Sequence, residues 1–153
     1  MKKTRKIFVA LAKSELEKEF GWFYTERWGE DAVKTYLTKH PEKIDKDLTL
    51  LGVGELAHPE LRQKGRSRID MIFRKGDIYY IVEVKDTSQS AWTQLFEEVA
   101  CFECDMKRHK ESYSEIIPVC VCVENKESPP HQSDWSEDNE KDFQKFWKLC
   151  NCV

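Results

Sequence analysis

The sequence predicts an α/β protein in which a central mixed β-sheet of about four strands is flanked by helices. Amphipathic segments with helical spacing stand near both ends of the chain and again in its middle. Short runs rich in β-branched and aromatic residues lie between them, and Gly76-Asp77 joins two of these runs in the manner of a tight hairpin. The element order α-β-β-β-α-β-α favours one sheet with helices packed on its faces.

The helices and strands are predicted from the spacing of apolar residues. The first helical region covers residues 14 to 40 and is expected to break near Gly21 and Gly29. A second helix is predicted over residues 87 to 110, and a last amphipathic helix ends the chain. Four strands are predicted, over residues 48 to 56, 67 to 74, 78 to 85 and 116 to 123.

The length of 153 residues predicts one domain with a single apolar core. Residues 1 to 125 are assigned to that core, including its N-terminal helices. Residues 126 to 140, KESPPHQSDWSEDNE, are polar and acidic and contain two adjacent prolines, which indicates an exposed loop. Residues 126 to 153 are therefore predicted to be an acidic loop and an amphipathic helix that packs on the same domain.

The hydropathy of the chain argues against a membrane protein. Its apolar runs fall short of the roughly 20 residues that a membrane-spanning helix needs. The apolar segment after the basic start, Ile7 to Ala12, is too short for a typical secretory signal. We therefore expect a cytoplasmic protein without a membrane partner.

Charge is distributed unevenly, although the net charge is only −3. The first half of the chain is net basic and the second half is net acidic, a pattern that can mark a basic face beside an acidic tail. The densest basic stretch, LRQKGRSR, contains Arg62, Lys64, Arg66 and Arg68 directly before Asp70. A solvated loop is the ordinary interpretation of such a stretch.

Six cysteines stand in three close pairs along the chain. The pair Cys101 and Cys104 alone has the CxxC spacing that zinc, iron–sulfur and redox sites share. A cytosolic setting disfavours disulfides, so buried or free thiols are the preferred interpretation. A disulfide and a metal site remain the alternatives.

The predicted hairpin RIDMIFRKGDIYYIVEVK carries charges on one face. A type II′ turn at Gly76-Asp77 aligns the strands so that Asp70 faces Glu83. The period of two along a strand puts Lys85 on the same face. Like charges that oppose each other in a sheet are destabilising, so a cation is expected to compensate them. That cation is either Lys85 or Arg68 in a salt-bridge network, or a divalent metal ion.

A metal ion would give this group of residues a chemistry. Two facing carboxylates, a backbone carbonyl and waters are the oxygen ligands that Mg²⁺ and Mn²⁺ prefer. A lysine beside them can orient or deprotonate an attacking water. The trio Asp70, Glu83 and Lys85 is therefore suited to metal-assisted phosphodiester hydrolysis.

Asp70, twelve further residues and then Glu83-Val84-Lys85 resemble the D…(D/E)xK signature of the PD-(D/E)xK nuclease superfamily. The order of elements predicted above is also that of its restriction-endonuclease-like core. YLTKHPEKIDKDLTLLG, RIDMIF, IVEVKD and Gln94-Leu95 together resemble the catalytic domain of NucS-type endonucleases over roughly residues 30 to 102.

The resemblance implies a role for each matched residue. Asp70, Glu83 and the Val84 carbonyl are expected to hold Mg²⁺ or Mn²⁺, and Lys85 is expected to position the attacking water. The resemblance further implies that Gln94 lines the site.

A glutamate of the first helix is also expected to assist. We assign this role to Glu30, with Glu26 as the alternative, and Glu55 is a further candidate carboxylate without a motif behind it.

The resemblance implies a Mg²⁺-dependent DNA endonuclease, with a homodimer expected because cutting both strands needs two sites. NucS-type enzymes have an additional DNA-binding and dimerisation domain, so their substrate choice is not transferred, and branched, mismatched or single-stranded DNA are all candidates. The loop HPELRQKGRSR is longer than the resemblance leads us to expect, and its basic residues are predicted to contact DNA phosphates.

Two sets of alternatives stay open. Holliday-junction resolvases and RecB-like nucleases share the same arrangement of acids and lysine on a hairpin, so they are alternatives within the nuclease class. The competing class is a non-catalytic module that binds nucleic acid or protein, with the acidic C-terminal region as the surface for a protein partner.

Overall fold

The structure is a computed structural model that describes residues 5–21, 29–55, 69–85 and 92–149. A short 3₁₀ turn at Pro41–Lys43 follows the second helix described. The elements are, in chain order, β1 (Arg5–Ala12), α1 (Lys13–Phe20), α2 (Glu30–Lys39), β2 (Thr49–Glu55), β3 (Ile69–Lys75), β4 (Ile78–Val84), α3 (Trp92–Arg108), β5 (Glu115–Glu124), β6 (Ser128–Asp134) and α4 (Glu137–Leu149).

The strands described form one mixed sheet in the order β2-β3-β4-β5-β1-β6. β5 pairs in parallel with β4 and with β1, and the other neighbours are antiparallel. The predicted α/β class is confirmed. The sheet has six strands where about four were predicted, because two strands were not recognised in the sequence.

The first of these is β1, which lies between β5 and β6. Its apolar run from Ile7 to Ala12 is buried apart from half-exposed Phe8. A strand that is buried on both faces lacks the alternation of apolar and polar residues that marks a half-buried strand. The sequence pattern therefore does not predict this strand, and the described part of the chain begins with a strand where N-terminal helices were expected.

The second is β6, within the segment predicted to be an exposed loop. Ser128–Asp134 pairs antiparallel with β1, so the loop prediction was wrong for these residues. Their side chains are nevertheless mostly exposed, because β6 is the edge strand of the sheet. An edge position tolerates Pro129 and Pro130, which lack an amide donor for a strand on the far side.

The predicted break in the first helical region is confirmed. α1 ends at Phe20 before Gly21, whose φ of 83° is accessible to glycine at little cost, and α2 begins after Gly29. α3 falls within the second predicted helix. Of the helices described, none is both long enough and apolar enough to cross a membrane.

The helices cover the two faces of the sheet and create two apolar layers. On one face, Leu16 of α1 and Leu37 of α2 pack with Val82 of β4. On the other face, α3 packs through Phe96 and α4 packs through Phe143. β4 is therefore covered on both sides, and polar side chains along it are held away from water.

The cysteines of the described residues are all buried, with two in α3 and two in β5. Cys104 is disulfide-bonded, so the preferred interpretation of ordinary thiols was wrong for this residue. Its burial in the apolar layer between α3 and Trp147 agrees with a structural role. Two cysteines lie outside the described residues, Cys150 and Cys152.

Candidate active site

The site is built at the end of the β3–β4 hairpin that is distant from its turn. The strands pair with Lys75 opposite Ile78, in the register that the sequence predicts. Gly76 has a φ of 63°, as the first position of a type II′ turn requires. The same register, continued one step beyond the observed ladder, sets Asp70 opposite Glu83.

Asp70 lies where the two strands stop pairing. Its Oδ2 accepts a hydrogen bond from the backbone N–H of Val84 at 2.8 Å. Its Oδ1 lies 3.6 Å from Nζ of Lys34, which projects from α2. These contacts orient the carboxylate from β4 on one side and from α2 on the other. Only 16% of the Asp70 side chain is exposed.

Glu83 lies deeper, under α3, beside a second acid that the sequence analysis missed. Glu83 is 3% exposed and Glu98 of α3 is 1% exposed. Burial, followed by repulsion from Asp70, raises the pKa of Glu83 to about 8. Burial, followed by repulsion from Glu83, raises the pKa of Glu98 to about 10. Both groups therefore hold a proton far more strongly than an exposed carboxyl group does.

One oxygen of each buried acid lacks a hydrogen-bond partner, although Glu83 and Glu98 also share a hydrogen bond. Oε1 of Glu83 and Oε1 of Glu98 are fully buried with no partner among the residues described. Buried polar atoms are satisfied in most proteins, and exceptions concentrate at sites completed by an ion, a water or a ligand. Glu98 had one detectable signal in the sequence, because it interrupts the apolar stripe of Leu95, Val99 and Phe102.

Lys85 follows directly after β4 and is oriented by its backbone as well as by two acids. Its N–H donates to the Val121 carbonyl of β5 at 2.8 Å. Its Nζ lies 4.0 Å from Oε2 of Glu83 and 3.9 Å from Oε2 of Glu30 in α2. The structure therefore brings together Lys85, Glu83 and Glu30, and 22% of the Lys85 side chain is exposed.

Gln94 reaches the site through Glu98. Its Nε2 donates to Oε2 of Glu98 at 3.2 Å, one turn further along α3. The structure thus places Gln94, predicted to line the site, in contact with the buried acid behind Glu83. The Gln94 side chain holds one oxygen of Glu98, which leaves the other oxygen without a partner.

The donor set fits a hard divalent cation. Asp70 and Glu83 supply carboxylate oxygens, and the unpartnered oxygens of Glu83 and Glu98 are of the type that Mg²⁺ and Mn²⁺ bind. Within the described ranges, no three His, Cys, Asp or Glu side chains are already arranged as a metal-binding group. A cation bound here would have to draw these carboxylates into its own coordination geometry.

Several predicted residues cannot be assigned a place in this arrangement. Glu55 ends β2, and its backbone pairs with Ile69, the neighbour of Asp70. Five predicted residues lie outside the described residues, namely Glu26, Arg62, Lys64, Arg66 and Arg68.

A cavity of about 810 Å³ lies apart from this site, beside the carboxyl-terminal half of α3. Its lining includes Lys107, Tyr113, Trp135 and Trp147. The candidate residues described above do not line it. Oδ2 of Asp105, in the same half of α3, is a third buried oxygen without a partner among the residues described. The hairpin end remains the candidate site, because two buried acids with raised pKa values lie together there beside Asp70 and Lys85.

Comparison of the chain with models of known protein families and with curated proteins finds no match.

Proposed function

We propose that this protein is a Mg²⁺- or Mn²⁺-dependent DNA endonuclease that hydrolyses phosphodiester bonds. The observation that carries the proposal is the meeting of Asp70, Glu83 and Lys85 at one hairpin end, where buried carboxylate oxygens lack partners. The proposal includes a restriction-endonuclease-like core, to which the hairpin and the following helix α3 would belong.

The proposed metal ligands are Asp70, Glu83 and the carbonyl of Val84. A divalent ion held by these residues would supply Lewis-acid stabilisation of charge on a phosphoryl oxygen. Glu98 lies behind Glu83 and, with the hydrogen bond from Gln94, limits the positions that the Glu83 carboxyl group can take. Asp70 is restrained in the same way by the Val84 amide.

Lys85 is proposed to orient the water that attacks phosphorus in line with the leaving oxygen. Glu83 and Glu30 lie on either side of its ammonium group at about equal distances, which restricts where that group can point. By analogy with the nuclease superfamily, hydrolysis would leave a 5′-phosphate and a 3′-hydroxyl. Glu30 would act as a positioning residue for Lys85.

The proposed macromolecular partner is DNA, contacted through the basic residues before β3. A homodimer is proposed for cleavage of both strands, because each chain would supply one site. Sedimentation of the purified protein tests this part separately. A monomer would favour nicking or single-strand cleavage.

The test is cleavage of labelled DNAs, namely duplex, single strand, flap, mismatch and four-way junction, with Mg²⁺ or Mn²⁺. We expect cutting of at least one substrate that EDTA abolishes and that is lost in Lys85→Ala. Lys126→Ala is the matched control, because Lys126 is exposed and far along the chain from the hairpin. Full activity of Lys85→Ala would contradict the mechanism.

A second result would contradict the whole proposal. If a folded protein cuts none of these substrates and binds DNA equally well with EDTA, the chain is a binding module without catalysis. Binding of a protein partner through the acidic C-terminal region, again independent of metal, would support the same conclusion.

A further inference from the structure

Lys34 of α2 joins a candidate metal ligand to an exposed acid. Its Nζ lies 3.6 Å from Oδ1 of Asp70 and 3.7 Å from Oδ1 of Asp31. The side chains of Lys34 and Asp70 are only 20% and 16% exposed, whereas the side chain of Asp31 is fully exposed. The ammonium group therefore bridges a shielded carboxylate and a solvated one.

The helix explains why a lysine reaches this position. Glu30 and Lys34 are four residues apart, so they lie on the same face of α2, one turn from each other. From that face Glu30 reaches Lys85 and Lys34 reaches Asp70. α2 thus contributes one negatively charged and one positively charged side chain to the end of the hairpin.

We propose that Lys34 is a built-in competitor of the divalent cation at Asp70. This inference rests on the proposed function and concerns the regulation of the same site. In the metal-free protein the Lys34 ammonium group pairs with the Asp70 carboxylate, which a bound cation would also need as a ligand. A cation that binds Asp70 must displace this group, and Asp31 is already within contact distance to receive it.

Electrostatics sets the direction of the effect. An ammonium group next to a cation site repels the cation, and a partly buried site weakens that repulsion less than bulk water does. Lys34 therefore lowers the affinity of the site for metal. It also pairs with the Asp70 carboxylate while no metal is bound, so it stabilises the metal-free protein.

The experiment is titration calorimetry with Mn²⁺ alone on the full chain, without DNA. We expect Lys34→Met to bind Mn²⁺ about tenfold more tightly than the unmodified protein. Lys34→Arg keeps the competing charge and should bind no more tightly than the unmodified protein. Lys39→Met is the matched control, because Lys39 lies on the same helix and pairs with Glu19 instead.

A second variant, which should change the Mn²⁺ affinity in the opposite direction, distinguishes the proposed effect from a folding defect. Asp31→Asn removes the exposed partner of Lys34 and should weaken Mn²⁺ binding a few-fold, since the ammonium group then has Asp70 alone. Thermal unfolding gives an independent reading. Lys34→Met should melt below the unmodified protein in EDTA and gain more from added Mn²⁺.

The outcomes separate this inference from the proposed function. If the unmodified protein binds Mn²⁺, Glu83→Ala does not, and Lys34→Met binds as the unmodified protein does or more weakly, Lys34 is no competitor and the proposed function stands. If neither the unmodified protein nor Lys34→Met binds Mn²⁺, both proposals are overturned.

Discussion

The two ends of the β3–β4 hairpin hold acids in opposite conditions. Near the turn, Asp45 accepts hydrogen bonds from the Tyr80 hydroxyl at 2.6 Å and from Lys75 Nζ at 2.9 Å. At the other end, Glu83 and Glu98 are more deeply buried, and each has an oxygen without a partner. One end has the donors that its acid requires, and the other end has acids in excess of donors.

The pKa values record the same difference. Burial alone would raise the pKa of Asp45, but the hydrogen bonds from Tyr80 and Lys75 outweigh it and hold that pKa below its usual value. At the other end burial and like charges act together, so the pKa values of Glu83 and Glu98 rise. The acid near the turn is satisfied within the protein, whereas the two buried acids at the other end each keep an oxygen without a partner, which is the basis of the proposed metal site.

The largest expected effect is on activity at the unsatisfied end. Glu83→Ala should lower metal-dependent cleavage at least about a hundredfold, because it removes a proposed metal ligand. The free energy of unfolding in EDTA should not fall in parallel, since the variant also removes a repulsive buried acid. Cleavage rates and urea unfolding measure the two quantities, and activity close to that of the unmodified protein would contradict the comparison.

The satisfied end should respond in stability instead. Asp45→Ala leaves the Tyr80 hydroxyl and Lys75 without their acceptor and should lower the free energy of unfolding by about 2 kcal/mol. Urea unfolding measures this loss, with Asp138→Ala as the control, an exposed acid in α4. A loss of cleavage in a folded Asp45→Ala protein would show that the two ends are not separate.

The third prediction concerns pH. Since the pKa of Glu83 is raised from 4.5 to about 8 on folding, and that of Glu98 still further, the folded state favours their protonated forms. Their contribution to stability is complete below pH 4.5 and is lost as the pH rises through the folded values. In EDTA, Glu98→Gln should therefore be more stable than the unmodified protein at pH 9, by at least about 1 kcal/mol.

Urea unfolding across the pH range checks this third prediction. The difference between Glu98→Gln and the unmodified protein should shrink as the pH falls toward 4. A difference that is constant with pH would mean that Glu98 does not titrate with folding.

The smallest effect is expected for Gln94, which contacts the site only through Glu98. Gln94→Ala removes one hydrogen bond and should slow cleavage about fivefold, which corresponds to about 1 kcal/mol. Thr93→Ala, the exposed neighbour, is the control. A loss as large as that of Glu83→Ala would mean that Gln94 contacts the reacting groups directly.

The hairpin could be predicted from the sequence because its turn is local. Gly76-Asp77 sets the register, and the register sets which residues oppose each other, so the position of Asp70 beside Glu83 follows from local residues. The contributions of α2 and α3 depend on how distant segments pack. Glu30, the acid assigned to the first helix, lies 3.9 Å from Lys85, whereas the contacts of Lys34 and Glu98 depend on packing that no short segment specifies.

The sequence did not predict β1 and β6, and the physical reason differs between the two strands. β1 is buried on both faces, so its sequence lacks alternation, and β6 is an exposed edge, so its sequence lacks apolar residues. Both are recognised only through pairing with each other and, for β1, with β5. Such pairing is a property of the whole chain and not of any short segment.

The prolines of β6 also bear on the behaviour of this protein at high concentration. A sheet edge with regular free amides can recruit a strand from another molecule and begin an aggregate. Pro129 and Pro130 lack amide donors, which interrupts the regular hydrogen-bonding pattern of this strand, and the side chains from Pro129 to Gln132 are exposed. β6, the edge strand beside β1, is therefore poorly suited to pair with a strand of another molecule and start a fibre.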